Sequence, residues 1–284
     1  MSNLKEIRGR ISSVKGTLKI TSAMRMVSSA KLISAMKAVG GLLPYENALK
    51  EILDTLLSSA EIKKLLENYN VSEDFPSDRI AVILITSNQN LCGSFNANLV
   101  KLFEAQRFNP SVTTVYAIGK YGYKAVKKLG FETVNCSGLS EVPDYSNSSD
   151  LADKLTGMYL DGKLAEVKMI YSHFVSRAVQ KNKVETYLPL DLESGGKDVP
   201  EDLIIEPDPV EFLKSIFPMV MRLKVHSSLL DALAAEHAAR TMAMQTASDN
   251  AEDLIAELSL QYNKLRQQEI TSQILDLVAG RIEK

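Results

Sequence analysis

The residues that could do chemistry in this chain are few, and their spacing is poor for each chemistry in turn. Ser87 and Ser94 flank the segment Asn88–Gly93, directly after an aliphatic run. Active sites of α/β domains often form at such a place. The G-x-S-x-G elbow that would force a serine hydroxyl out into a crevice is absent. Gly119-Lys-Tyr-Gly122 is a fragment of glycine spacing, neither a P-loop nor a dinucleotide fingerprint. His173, His226 and His237 lie far apart, and no Cys or His pair has ligand spacing. Cys92 and Cys136 are too few for a disulfide framework and read as reduced thiols in a reducing compartment. The expectation is therefore no catalytic residue, no metal and no cofactor.

The elements that would hold such residues are more informative. From Glu211 to Lys284 the only strong helix breakers are Pro218 and Gly280. The 61 residues between them predict one helix about 90–110 Å long, several times the width of a small domain. Its seam is expected at Leu230, Leu233, His237, Arg240, Met244, Ala247, Ala251, Leu254, Leu258, Gln261 and Leu265, widened by Ile255, Tyr262, Ile270, Ile274 and Leu277. The N-terminal arm has a matching 4–3 pattern at Leu4, Ile7, Ile11, Val14 and Leu18. The pattern continues through polar Thr21, Arg25 and Ser28 and recovers at Leu32, Ala35, Val39 and Leu42. Gly40-Gly41 and Pro44 are expected to break or kink this arm, with a second helical stretch from Tyr45 to about Tyr69.

Between the arms the period changes. Residues 70–78 read as a linker. Arg79–Thr86, Val112–Ile118, Glu166–Phe174 and Val184–Leu190 read as strands, the first as a buried strand of a parallel sheet. Asn96–Phe108, Lys120–Leu129 and Ser148–Asp161 read as the intervening helices, and Asp191–Pro209 as a loop. The predicted architecture is an antiparallel coiled coil of the two chain ends plus a central Rossmann-like α/β domain. Its expected parts are 1–70, 75–209 and 210–284.

Charge and surface narrow the function. Residues 1–50 carry nine Lys/Arg against two Asp/Glu, while the whole chain has net charge −2. The longest aliphatic run, Ile80–Ile85, is six residues, against about 20 needed to span a bilayer, so no membrane-crossing segment is expected. Polar residues at the start of the chain also argue against a leader peptide. Ile20–Ala38 is apolar on several sides, and eight alanines fall within Asp231–Ala251. Close helix packing explains one face of each. Small and thioether side chains on the other faces suggest a surrounding sleeve of protein with acidic features opposite Arg8, Arg10, Lys15, Lys19, Arg25 and Lys31.

These residues resemble a known family, the gamma subunit of rotary ATP synthases. The resemblance lies in Lys19–Leu32 (KITSAMRMVSSAKL), Glu236–Ala251 (EHAARTMAMQTASDNA) and Tyr262–Thr271 (YNKLRQQEIT). Asn90–Gly93 (NLCG) and Glu206–Pro209 (EPDP) match two interior motifs, in the same order along the chain. The resemblance implies a non-catalytic central-stalk shaft that couples transmembrane proton flow to ATP synthesis and hydrolysis. Its implied partners are alpha and beta subunits, three of each, with the epsilon subunit and the membrane c-ring. It implies neither nucleic-acid binding nor direct membrane insertion. Met24, Arg25 and Arg240 would face the acidic lever segment of beta. Arg266, Gln267 and Thr271 would engage a loop higher in the ring. Glu206 and the Gly40–Tyr45 bend would lie near the rotor ring and epsilon. The implied location is peripheral, on the cytoplasmic face of the bacterial inner membrane. Two other readings compete: a small-molecule enzyme on the α/β domain with helical oligomerisation arms, and a basic coiled-coil nucleic-acid binder. A pI near 6.0 and the lack of interleaved aromatics argue against the latter.

Overall fold

The structure, a computed structural model, describes residues 2–57, 78–141, 143–190 and 208–282. The chain divides into two compact units, Ser29–Ala239 and a second made of Met1–Ser28 with Arg240–Lys284. Helix α1 (Ser2–Leu57) and helix α5 (Pro209–Ile282) each contribute to both.

The larger unit is built on a five-stranded sheet. Its strands are β1 (Ile80–Ile85), β2 (Thr113–Ile118), β3 (Glu132–Asn135), β4 (Glu166–Phe174) and β5 (Gln180–Leu188), in the order β3-β2-β1-β4-β5. The first four run parallel, and β5 pairs antiparallel to β4. Helices α2 (Phe95–Ala105), α3 (Lys120–Lys128) and α4 (Tyr145–Leu160) connect them, with a short 3₁₀ turn at Ser137–Ser140. Strand alternation sorts the core into two layers. Ala81, Ile83 and Ile85 face Leu151, Leu155 and Tyr159 of α4 and Leu213, Phe217, Met221, Val225 and Leu229 of α5. Val82 and Leu84 face Leu99 and Phe103 of α2 and Val126 of α3.

Three sequence expectations need correction here. Strand β3 was not expected: its residues (ETVN) hold no aliphatic run, because a short edge strand needs no second buried face. Strand β5 begins at Gln180, not Val184, because polar Lys181, Asn182 and Lys183 pair with His173, Ser172 and Tyr171 across a hairpin. Helix α1 runs unbroken through Gly40, Gly41 and Pro44. Pro44 removes only one helical hydrogen bond, and the turns around it pack. Leu42 and Leu49 sit against Phe212, Ile216, Val220 and Leu223 of α5, and Leu32 and Ala35 against Ala234 and Ala238. A buried leucine such as Leu32 contributes roughly 1.5–3 kcal/mol, comparable to the proline penalty. The part of the expected second stretch beyond Leu57 lies outside the described residues.

In the smaller unit the two helices are antiparallel. Thr21 contacts Ser248, while Arg25, one turn later, contacts Gln245, one turn earlier. On α1 the predicted seam is the observed one: Ile7, Thr21 and Ser28 are buried, and Leu4, Ile11, Val14, Leu18 and Arg25 half-buried. On α5 the expected seam holds at Met244, Ala251, Leu258 and Leu265, with Ile255 and Tyr262 half-buried beside it. It departs where Ser248 is buried more deeply than Ala247, and where Leu254, Gln261, Ile270 and Ile274 are exposed. By composition alone one helical stretch, Leu4–Leu53, contains an 18-residue window long and apolar enough to cross a membrane, with mean hydropathy 1.2. It also carries Arg25, Lys31 and Lys37, and part of its apolarity is used in these seams.

Candidate functional sites: a closed crevice and exposed helix faces

The carboxyl end of β1, where an α/β domain would hold a ligand, is filled by the protein itself. The amide of Ser87 donates to Asn96 Oδ1, and Asn96 Nδ2 donates to Ser87 Oγ at 2.7 Å and lies near Cys92 Sγ. The Ser87 hydroxyl donates to the Gln89 carbonyl at 2.6 Å. Ser87 is fully buried and committed, so it has neither exposure nor a base to make it a nucleophile.

The glycine pair flagged in the sequence serves packing. Gly119 has φ +99°, and a Cβ there would lie 2.1 Å from the Thr86 carbonyl oxygen. A Cβ on Gly122 would meet Thr86 Oγ1 at 2.7 Å. Helix α3 therefore starts against the end of β1. Its first four amides are all taken, by Asn88 Oδ1, the Ser87 carbonyl, Thr86 Oγ1 and the Gly119 carbonyl. A helix N-terminus binds phosphate through free amides, and this one has none to offer. A residual cavity of about 10 Å³ remains beside Thr86, Ser140, Leu229 and Glu236, room for no more than a single water.

The remaining reactive groups are likewise engaged. His173 Nδ1 lies 2.6 Å from Asp231 Oδ2. His226 Nδ1 lies 2.9 Å from Ser148 Oγ, and burial pushes its pKa down. His237 is buried. Burial pushes the Cys136 thiol up, away from thiolate reactivity. Among the described residues no group of three or more His, Cys, Asp or Glu is placed to hold a metal.

The expected contact residues fall in different settings. Met24 is half-buried, and Arg25 donates to Gln245 Oε1 within the helix pair. Arg240 is 3% exposed, so its guanidinium lies inside this chain's own packing and not on an open face. Arg266, Gln267 and Thr271 are exposed together on α5, with Thr271 Oγ1 donating back to the Gln267 carbonyl. Gln267 and Thr271 share a shallow open strip with Lys264, Gln268, Ser272 and Leu275. Tyr45 is exposed on α1, next to Glu46, which accepts from Ser227. Glu206 lies outside the described residues. Large apolar side chains also stand in water: Ile20, Met26 and Val27 on α1, and Leu260, Ile270, Ile274 and Leu275 on α5. For Ile20, Met26, Val27, Leu260 and Leu275 the signal in the sequence is an apolar residue off the seam register, whereas Ile270 and Ile274 were expected inside the seam and stand outside it.

Two long seam-forming helices joined to an α/β sheet whose crevice is shut define a shaft or scaffold subunit, made to contact other chains. The comparisons agree with that class. The family model described as ATP synthase matches residues 3–281. The ATP synthase gamma chain of Bacteroides thetaiotaomicron is 42% identical, with all of both chains covered. That of Flavobacterium johnsoniae is 36% identical over 99% of this chain and 98% of its own. Among solved structures, a chain of the Euglena gracilis mitochondrial ATP synthase (OSCP/F1/c-ring, rotational state 3) superposes with TM-score 0.71. It is 17% identical, covers 98% of this chain and 93% of its own, and shows the shared fold. The chain belongs to the ATP synthase gamma-chain family. It is a non-catalytic stalk subunit, and the complex's catalytic sites are on the beta subunits.

Proposed function

We propose that the chain is the rotating shaft inside a ring of three alpha and three beta subunits. Turning it passes each catalytic site through its different nucleotide affinities, so that proton flow and ATP turnover share one mechanical coordinate. The observation that carries this reading is the uncovered apolar surface of both helices, at Ile20, Met26 and Val27 and at Leu260, Ile270 and Ile274. A helix meant for water would place charges there. The basic bias of residues 1–50 supplies the complement for an acidic sleeve.

In this reading Met24 and Arg25 meet the acidic lever segment of beta, with Arg240 fixing the opposite helix from within. Arg266, Gln267 and Thr271 engage a loop higher in the ring. Tyr45 and Glu206 lie against epsilon and the c-ring, on the cytoplasmic side of the inner membrane. Residues 1–70 and 210–284 form the shaft and 75–209 the domain beside the rotor ring. The enzyme alternative has no support in the closed crevice. The test is reconstitution: alone the chain hydrolyses no ATP, and added to gamma-depleted complexes it restores ATP-driven proton pumping. Hydrolysis by the chain alone, or no restoration, rejects the reading.

A further inference from the structure

Helix α5 is held by polar bonds on two opposite faces. On one face Met221, Lys224, Ser228 and Asp231, in 3-4-3 spacing, meet the β4–β5 hairpin. The Met221 carbonyl accepts from Tyr187 Oη at 3.1 Å. Lys224 Nζ reaches Glu185 Oε1 at 3.1 Å and the Thr186 carbonyl at 3.2 Å. Ser228 lies beside Tyr171, whose hydroxyl donates to Glu185 Oε2 at 3.0 Å. Asp231 accepts the Phe174 amide at 2.9 Å with one oxygen and meets His173 with the other. On the other face, two residues reach α4. Arg222 Nε donates to Asp153 Oδ1 at 2.7 Å, and His226 faces Ser148. With 3.6 residues per turn, the mean directions of the two sets differ by about 160°.

Apolar packing is non-directional, so a helix can roll against a greasy surface with little loss until side chains clash. Hydrogen bonds weaken steeply as their angle closes, so they resist roll directly. Bonds on opposite sides of one axis resist turning as a couple, while bonds on one side act as a hinge. We propose that these two sets of bonds form a torque clamp, through which the long helix and the α/β domain turn each other without slipping. The proposal rests on the shaft reading above. Burial pushes the Tyr171 and Tyr187 hydroxyls up, so both stay neutral donors at physiological pH.

The test uses assembled complexes in inverted membrane vesicles. One set of variants cuts the hairpin face (Lys224→Met with Asp231→Asn), one cuts the α4 face (Arg222→Met with Ser148→Ala), and one cuts both. Expected is ATP hydrolysis within about 30% of wild type in each, with protons pumped per ATP falling by about 1.5-fold for one face and threefold or more for both. The charge swap Lys224→Glu with Glu185→Lys keeps the ion pair but loses the bonds to the Thr186 carbonyl and from Tyr171, so its pumping per ATP should lie between wild type and the hairpin-face variant. Unchanged pumping per ATP in the two-face variant overturns the clamp. So does an equal fall in hydrolysis and pumping, which marks a merely structural loss. If the two-face variant does not assemble, the one-face variants and the charge swap decide by the same criterion. If wild-type chain fails to restore coupling, the shaft reading itself falls, and the two failures are separate.

Discussion

Thr21 Oγ1 and Ser248 Oγ lie 2.8 Å apart in the seam between the two long helices, both buried. Polar seam residues cost stability, but they fix which turns face each other: Thr21 also donates to the Leu18 carbonyl of its own helix at 3.1 Å, and a slipped register takes from Ser248 its partner across the seam. Thr21→Ala alone strands the Ser248 hydroxyl and is expected to cost about 1–2 kcal/mol. Thr21→Val with Ser248→Ala is expected to be near neutral in stability. Denaturant midpoints of the three chains check this. A Thr21→Cys, Ser248→Cys pair should oxidise readily, and a Thr21→Cys, Ala251→Cys pair should not.

The α5 register is testable at two adjacent residues. Ile255 is half-buried in the seam and Leu254 is 43% exposed. Ile255→Gln should cost about 1–2 kcal/mol and Leu254→Gln less than about 0.5 kcal/mol. Equal losses in thermal melts would restore the register expected from the sequence.

Gly119 should be the least replaceable glycine of the α/β domain. Gly119→Ala adds a 2.1 Å contact with backbone to an unfavourable φ, and should cost about 3 kcal/mol or more. Gly130→Ala, also at positive φ but facing open space, should cost only about 1 kcal/mol. Gly40→Ala and Gly41→Ala meet nothing within 4 Å and should each stabilise helix α1 by up to about 1 kcal/mol. Melting temperatures of the four variants give the order.

His226 makes stability depend on pH. Burial lowers its pKa in the folded chain below the ordinary value of 6.5, with Asp144 opposing weakly. Between the folded value and 6.5 the unfolded chain binds more protons. The stabilisation is therefore complete above about pH 6.5 and is lost as pH falls through the folded pKa. His226→Gln should flatten this slope between pH 7.5 and 5.5 in urea titrations, and an unchanged slope would assign it elsewhere.

The seam of α1 was legible from Ile7 to Leu42 because an antiparallel partner buries one residue in every 3.5, and that period leaves a pattern even where the residue is Thr or Ser. The strands β1, β2 and β4 were legible because central strands are packed on both faces, which leaves the apolar runs Ile80–Ile85, Val115–Ile118 and Met169–Tyr171. The family was legible too, in the runs Lys19–Leu32, Glu236–Ala251 and Tyr262–Thr271 that carry the resemblance. The sequence by itself thus determined the two long helices, the central strands β1, β2 and β4, and which face of α1 is inside.

Tertiary structure decided the rest. The β3 edge strand and the polar half of β5 exist only because a neighbouring strand offers its hydrogen bonds. Pro44 and Gly40-Gly41 stay helical because Leu42 and Leu49 find Ile216 and Leu223, and packing outweighs local propensity. Whether Ser248 or Ala247 joins the seam depends on Thr21, 227 residues away. The shut crevice depends on Thr86 meeting Gly119 and Gly122, a contact that no local spacing encodes. Local residue preferences are worth tenths of a kcal/mol and leave a readable pattern. The long-range contacts that overrule them are worth several kcal/mol, and they are visible only once the chain has brought their partners together.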